Sequence, residues 1–374
     1  MNDGTFEKLF PDDEITKRDR IELALAHQAV DRVPLHEQLS YNSRVIALYT
    51  GKNIREFDYT IEDIGEVVRK TMDVHFPLFA PKGTAREIDE YGFTIQHDNW
   101  TSWYTGRPFT DENGAAEWLK EKTQNLADAR ETFDADTVRR DYRREFAAMQ
   151  RLIGETVLFN WSFTGFCDVF NMMGLEIYSF FSIDYPEVLD EYMEVSTDLE
   201  VKRIHAIADR ELSPLILIPE DFSTKQGPIF SPAFLARFHY PSIKKLTDVW
   251  HGYDITVMYH SDGNYRKVIP DLMKTGVDGF YCLEPNCGMD IVELKQKWPE
   301  MVWAGGLDGV DLMELGSPEA VRKEVHRHIS ETNALETGGM LMATSSEINP
   351  PIPAENFRAM VEATGELHNS NFSG

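Results

Sequence analysis

The sequence predicts an α/β protein of the TIM-type (β/α)8 barrel class, and three observations predict it. Eight short β-type runs are spread along 374 residues. Segments of helical periodicity separate most of them. Five of them end in, or are followed at once by, a histidine, a carboxylate or an amide. Alternating strand and helix give a parallel sheet, and eight units are the number that closes a barrel. Such barrels reach about 250 residues or more as one unit, so residues 1–374 are expected to form a single domain.

The runs, in order, are Arg32 to His36, Met72 to Phe79, Thr156 to Asn160 and Pro214 to Pro219, the last followed by Glu220 and Asp221. Then come Asp254 to His260, Gly279 to Leu283, Met301 to Ala304 and Met340 to Ala343. Several helices between them announce their starts. Ser231-Pro232 pairs an N-cap with a first-turn proline, and Phe234, Leu235, Phe238, Ile243 and Leu246 carry an apolar stripe to Trp250. Ser317-Pro318-Glu319 opens a segment reaching His328, and Tyr185-Pro186-Glu187 a long helix to about Arg210.

The connection from the second run to the third, about residues 84–150, is too long for a simple crossover. Phe93 to Tyr104 alternates and reads as a β-hairpin around His97-Asp98-Asn99, while Ala115 to Lys122 and Ala135 to Leu152 read as charged helices. The expected fold is therefore a barrel with an inserted hairpin and helices covering one rim.

Composition narrows the function classes. The chain has 42% hydrophobic residues and 11% aromatics, enough for a large core, and 27% charged residues, ordinary for a globular protein. Its 63 acidic and 37 basic residues leave a net charge of -26. That charge repels phosphate backbones and anionic membranes, so neither nucleic acid nor a membrane surface is an expected partner. Three cysteines, Cys167, Cys282 and Cys287, make no disulfide framework and fit a reducing cytoplasm. Met1 to Lys17 is polar with no apolar signal core, and no window is apolar enough to span a membrane.

In a barrel of this class the chemistry sits at the C-terminal strand ends. Those ends present His36 and Glu37, His75, Asn160, Glu220 and Asp221, His260 and Asp262, Glu284, Asp308, and Ser345, Ser346 and Glu347. The most telling is Val257-Met258-Tyr259-His260-Ser261-Asp262-Gly263-Asn264, where an apolar run stops in a histidine, a carboxylate and a glycine turn. A His-x-Asp there can place both side chains near one divalent ion, since zinc accepts nitrogen and oxygen donors and catalytic sites need three from the protein. A structural hydrogen-bonding histidine has the same spacing. Cys282 and Cys287 lack a second pair, and no Walker loop, serine elbow or GxGxxG sits at a strand-to-helix junction. Phe159, Trp161, Phe163, Phe166, Phe170, Tyr178, Phe180 and Phe181 cluster after the third run; most are expected in the core and two or three along a pocket.

Five motifs in order carry a resemblance. They are Arg20-Ile21-Glu22-Leu23-Ala24-Leu25 with Val30-Asp31-Arg32-Val33-Pro34, Gly227-Pro228 through Pro241, Tyr259 through Asn264, Gly305-Gly306-Leu307-Asp308, and Asn349-Pro350-Pro351-Ile352-Pro353-Ala354-Glu355-Asn356. Together they resemble the uroporphyrinogen decarboxylase superfamily, and within it the corrinoid-dependent methyltransferase branch. The resemblance spans most of the chain and implies a TIM-type barrel. The decarboxylase holds its substrate's carboxylates with an arginine-rich segment after the first strand. Here that segment, His36 to Arg44, has one arginine and one acidic residue, which disfavours a porphyrinogen, although Asp73 stands near the family's acidic position.

Thiol-methylating members carry His-x-Cys and a later cysteine. His260 fits the histidine, Asp262 takes the first cysteine's place and Ser346, beside Glu347, the second. Without thiolates, a shell of His260, Asp262, Glu220 and Glu347 leaves zinc a stronger Lewis acid, suited to an ether oxygen. The resemblance thus implies a methyltransferase that cleaves a methyl ether, such as a methoxyaromatic, and passes the methyl to cob(I)amide. That cobalamin-type cofactor belongs to a separate corrinoid protein. His260, Asp262 and Glu220 are the expected catalytic residues, and His36, Asn160, Trp161, Phe163 and Tyr259 the expected substrate contacts. A methylcobamide:thiol methyltransferase, a decarboxylase-like lyase and a metal-free binding homologue stay open as alternatives, and a homodimer is allowed.

Overall fold

Among the described residues nine short parallel strands, most of them buried, carry the fold. In the computed structural model, which describes residues 9–372, they are β1 (His36–Glu37), β2 (Val74–His75), β3 (Val157–Leu158), β4 (Asn160–Trp161), β5 (Leu215–Pro219), β6 (Thr256–His260), β7 (Gly279–Tyr281), β8 (Val302–Leu307) and β9 (Met340–Thr344). Each of the eight expected runs overlaps a strand, the first only at His36, and the third is divided at Phe159 into β3 and β4. Residues 1–8 of the polar N-terminal stretch lie outside the described residues.

The chain divides into two compact units, one of Met1–Ala80, Ala147–Phe159 and Gly279–Gly374, the other of Pro81–Phe146 and Asn160–Asp278. In the first unit β3 pairs with β2 and β2 with β1. A Leu35↔Met342 bridge links β1 to β9, and β9 continues to β8 and β7, all parallel. In the second unit β4, β5 and β6 pair in parallel. The strands are parallel and helix-connected as expected, but no closed barrel is seen among the described residues. Among these residues, too, no helix is long and apolar enough to cross a membrane.

The first unit is built on a buried charge network. Asp73, fully buried just before β2, accepts hydrogen bonds from Arg20 Nη1 (2.9 Å), Arg32 Nη1 (2.7 Å), Arg32 Nη2 (3.0 Å) and the Leu35 N–H (2.8 Å). Arg20 also grips Asp31 through two nitrogens, at 2.7 and 2.5 Å. Burial alone would raise the Asp73 carboxyl, yet the two guanidinium groups outweigh it and hold the group at about 2. Asp73 thus serves structure at the N-terminal end of β2, the end where barrel residues act in stability.

In the second unit, Ala85–Ile88, Thr94–His97 and Ser102–Gly106 form a three-stranded antiparallel sheet. The turn at His97-Asp98-Asn99 was legible; the first strand was not, because all four of its residues are exposed and show no alternation. The charged helices are Glu112–Glu131 and Ala135–Ile153. The helix expected to run unbroken from Ser231 to Trp250 is two, Pro232–Phe238 and Tyr240–His251. Pro241 has no N–H to continue the ladder, and the chain hinges at His239.

Candidate metal centre

β5 and β6 run side by side in register, Thr256 opposite Leu215 and His260 opposite Pro219, so they end together. The Glu220 N–H donates to the His260 carbonyl at 2.9 Å and closes the pair. Immediately beyond, the chain must turn sharply against the 223–224 backbone. Gly263 makes this possible: it has φ +75°, and a Cβ there would stand 2.7 Å from the Ser223 carbonyl oxygen. The turn brings the Asp262 N–H to 3.0 Å from Asp221 Oδ1.

Three side chains meet at this end. His260 Nε2 lies 3.3 Å from Asp221 Oδ1 and 3.8 Å from Asp262 Oδ1, and one donor atom from each residue falls within 4.8 Å of the others. Two donors bound tetrahedrally to zinc at about 2.0–2.1 Å stand about 3.4 Å apart, so the spacing fits one ion after small rotations of the two exposed aspartates. Partial loss of water at the strand end works to raise the Asp221 carboxyl, but His260 and the Asp262 N–H outweigh it and hold it below the usual carboxylate range.

Of the expected ligands, His260 and Asp262 come together and Glu220 goes elsewhere. Successive residues of an extended chain face opposite sides, and here Asp221 faces the histidine while Glu220 turns inward, 2% exposed. Its carboxylate accepts from the Thr164 hydroxyl and, at 3.0 Å, from the Cys167 N–H. Cys167 is in the first turn of the helix Phe166–Met173, whose N-cap Gly165 has no side chain to offer. Glu220 therefore caps that helix from a distant strand end. Burial pushes its carboxyl up to about 7 against these hydrogen bonds. Glu347 belongs to the other unit and accepts from Ser346 Oγ at 2.9 Å.

The expected substrate contacts separate likewise. Tyr259, one residue before His260, faces away from it: the ring is fully buried, with its hydroxyl 2.8 Å from His239 Nε2. Burial pulls His239 down to about 3, so this imidazole is neutral. Asn160 donates from Nδ2 to the Tyr142 hydroxyl at 2.9 Å, Trp161 is half-buried, and Phe163 is 46% exposed. Phe166, Tyr178 and Phe181 are core. His36 sits in the other unit, fully buried, its ring edge-on to Phe76, Phe159 and Tyr281 at 4.9, 5.4 and 5.1 Å. The cysteines are free thiols, Cys167 and Cys282 buried.

The family model of Uroporphyrinogen decarboxylase (URO-D) matches residues 163–367, a stretch containing Asp221, His260 and Asp262 and drawing on both units. No curated protein matches the chain. Among solved structures, a methyltransferase from Methanosarcina mazei is similar with a TM-score of 0.64 and 15% identity, over 94% of this chain and 99% of that one. A likeness at that identity speaks to fold alone. Two further structures are matched with TM-scores too low to weigh. One is a sugar phosphate isomerase/epimerase from Parabacteroides distasonis (0.29, 12% identity, 59% of this chain and 74% of that one). The other is SrfJ from Salmonella typhimurium (0.38, 11% identity, 92% and 76%).

Proposed function

The chain belongs to the uroporphyrinogen decarboxylase family, and from that premise we propose that it is a methyltransferase of the corrinoid-dependent kind. On this reading it takes a methyl group from a methyl ether, a methoxyaromatic being the leading class, and delivers it to the cob(I)amide of a separate corrinoid protein. We further propose that residues 1–374 act as one barrel-type domain. The observation that carries the reading is the Asp221, His260 and Asp262 group at the ends of two adjacent parallel strands. The methyltransferase likeness in fold agrees with it.

One imidazole nitrogen and two carboxylates suit zinc, and three protein donors leave a fourth position for substrate. An ion held there would supply Lewis acidity toward an ether oxygen, which the oxygen-rich shell strengthens. The protein's part is preparation. The Asp262 N–H aims the Asp221 carboxylate at the site, and the register of β5 and β6 holds His260 against it. Glu220 ties the helix Phe166–Met173 to the same strand end, and Asn160, Trp161 and exposed Phe163 open that segment's surface toward substrate on our reading. A porphyrinogen lyase is less well supported, because Asp73, the residue near that family position, is consumed by Arg20 and Arg32.

The test is an anaerobic methyl-transfer assay with reduced corrinoid and a panel of methoxyaromatics, thiols and methylamines, followed by methyl–cobalt absorbance. Demethylation of at least one ether, strictly dependent on corrinoid and without methanol release, is the expected result. Ether turnover equally fast without corrinoid, or transfer to thiols alone, would contradict the proposal.

A further inference from the structure

A second strand end carries a buried carboxyl that the proposed reaction does not use. Glu37 closes β1 and is fully buried. One of its oxygens accepts from the Thr344 N–H, and the other, Oε2, lies 3.0 Å from Thr344 Oγ1. The same Thr344 hydroxyl is also in hydrogen-bond contact with the Ser346 carbonyl. A hydroxyl has one proton and a carbonyl has none to give. One proton cannot serve both acceptors, and both contacts are satisfied together if Thr344 donates to the Ser346 carbonyl while Glu37 brings its own proton to Oε2.

We propose that Glu37 is carried as a neutral carboxylic acid that donates to Thr344 Oγ1, and that this proton latches the turn after β9 to the end of β1. Thr344 in turn donates to the Ser346 carbonyl, so the relay runs from β1 through β9 into the turn. That turn bears Ser346, whose hydroxyl donates to Glu347 Oε2 at 2.9 Å, and is held from the far side by Asn42 Nδ2 donating to the Asn349 carbonyl at 2.7 Å. Glu37 is a positioning residue for this strand-end turn. The proposal stands apart from the methyl-transfer reading.

The charged surroundings agree. Burial pushes the Glu37 carboxyl up to about 8, against hydrogen bonds from the Thr344 and Gln38 N–H groups, and the like charge of Glu347 adds to the rise. Its strand partner His75 cannot supply a countercharge. It accepts from the Leu39 N–H at Nε2 (3.0 Å), sits against the Phe76 carbonyl at Nδ1, and is pulled by burial to about 4. A group raised in the folded state contributes its stability fully below its unfolded value and loses it as pH rises through the folded one. The latch holds at neutral pH and is lost as pH rises through about 8.

Glu37→Gln copies the neutral acid: its carbonyl accepts from the Thr344 N–H and its amide donates to Thr344 Oγ1. Hydrogen exchange of peptides covering residues 344–349, corrected for intrinsic rates, should show wild-type protection falling up to about tenfold per pH unit as pH rises toward about 8 and levelling off above it. The Glu37→Gln protein should show no such fall. A second measurement does not depend on that variant folding. The infrared carbonyl stretch of neutral carboxylic acids in the wild type should include a component that disappears with a midpoint near 8 and shifts in Thr344→Val. The same pH dependence of protection in wild type and Glu37→Gln would overturn the proposal, as would an infrared component at neutral pH that Thr344→Val leaves unmoved.

Discussion

At Gly263 a missing Cβ decides whether the β6 turn can sit against residues 223–224. With φ +75° and Ser223 O, Ser223 C and Thr224 O within 2.7 to 2.8 Å of the would-be Cβ, only backbone movement could admit a side chain. Gly263→Ala should cost about 1–3 kcal/mol, visible as a fall in Tm, and should spread the Asp221 and Asp262 carboxylates. An unchanged Tm would show that the close approach is not required. The glycine was legible in sequence as a strand stop. The division of labour between Glu220 and Asp221 was not. Alternation says that two adjacent carboxylates face opposite ways, but it does not say which way either faces. That depends on Gly165 leaving a helix end uncapped, 55 residues earlier in the chain and with no local trace near Glu220.

Among elements, the helix Phe166–Met173 should depend on a strand for its start. Glu220→Ala removes the acceptor of the Thr164 hydroxyl and the Cys167 N–H, leaving buried donors at a cost of about 1–3 kcal/mol. Hydrogen exchange at Phe166 to Val169 should quicken while bound metal per chain stays the same. Loss of metal in this variant would return Glu220 to the ligand set. The long parallel strands β5, β6, β8 and β9 were legible from their uninterrupted apolar runs, which is how strands buried on both faces read. The hinge at His239 was missed because the apolar stripe continues through Pro241. Periodicity reports which face is buried and is blind to a missing N–H.

At the scale of the whole molecule, the buried arginines and aspartates should govern acid stability. Asp73 is depressed from 3.8 to about 2 and Asp31 is also lowered. A depressed carboxyl contributes stability above its unfolded value and loses it as pH falls through the folded one, so the loss should fall between about pH 4 and about pH 2. For Asp73 it is worth roughly 2 kcal/mol. Asp73→Asn should cost about 3–5 kcal/mol at neutral pH, because it leaves Arg20 and Arg32 buried beside a neutral group, and should flatten that acid limb in urea titrations. Parallel alternation was legible along the whole chain. The partition into two contact units was not, since it turns on how densely distant segments touch. The most direct test of the Asp221, His260 and Asp262 centre is bound divalent metal per chain, measured after dialysis for wild type, His260→Ala, Asp221→Ala, Asp262→Ala and Glu220→Gln. About one ion in the wild type and in Glu220→Gln, with loss in the other three, is the predicted result; stoichiometric metal in His260→Ala, or none in the folded wild type, would contradict it.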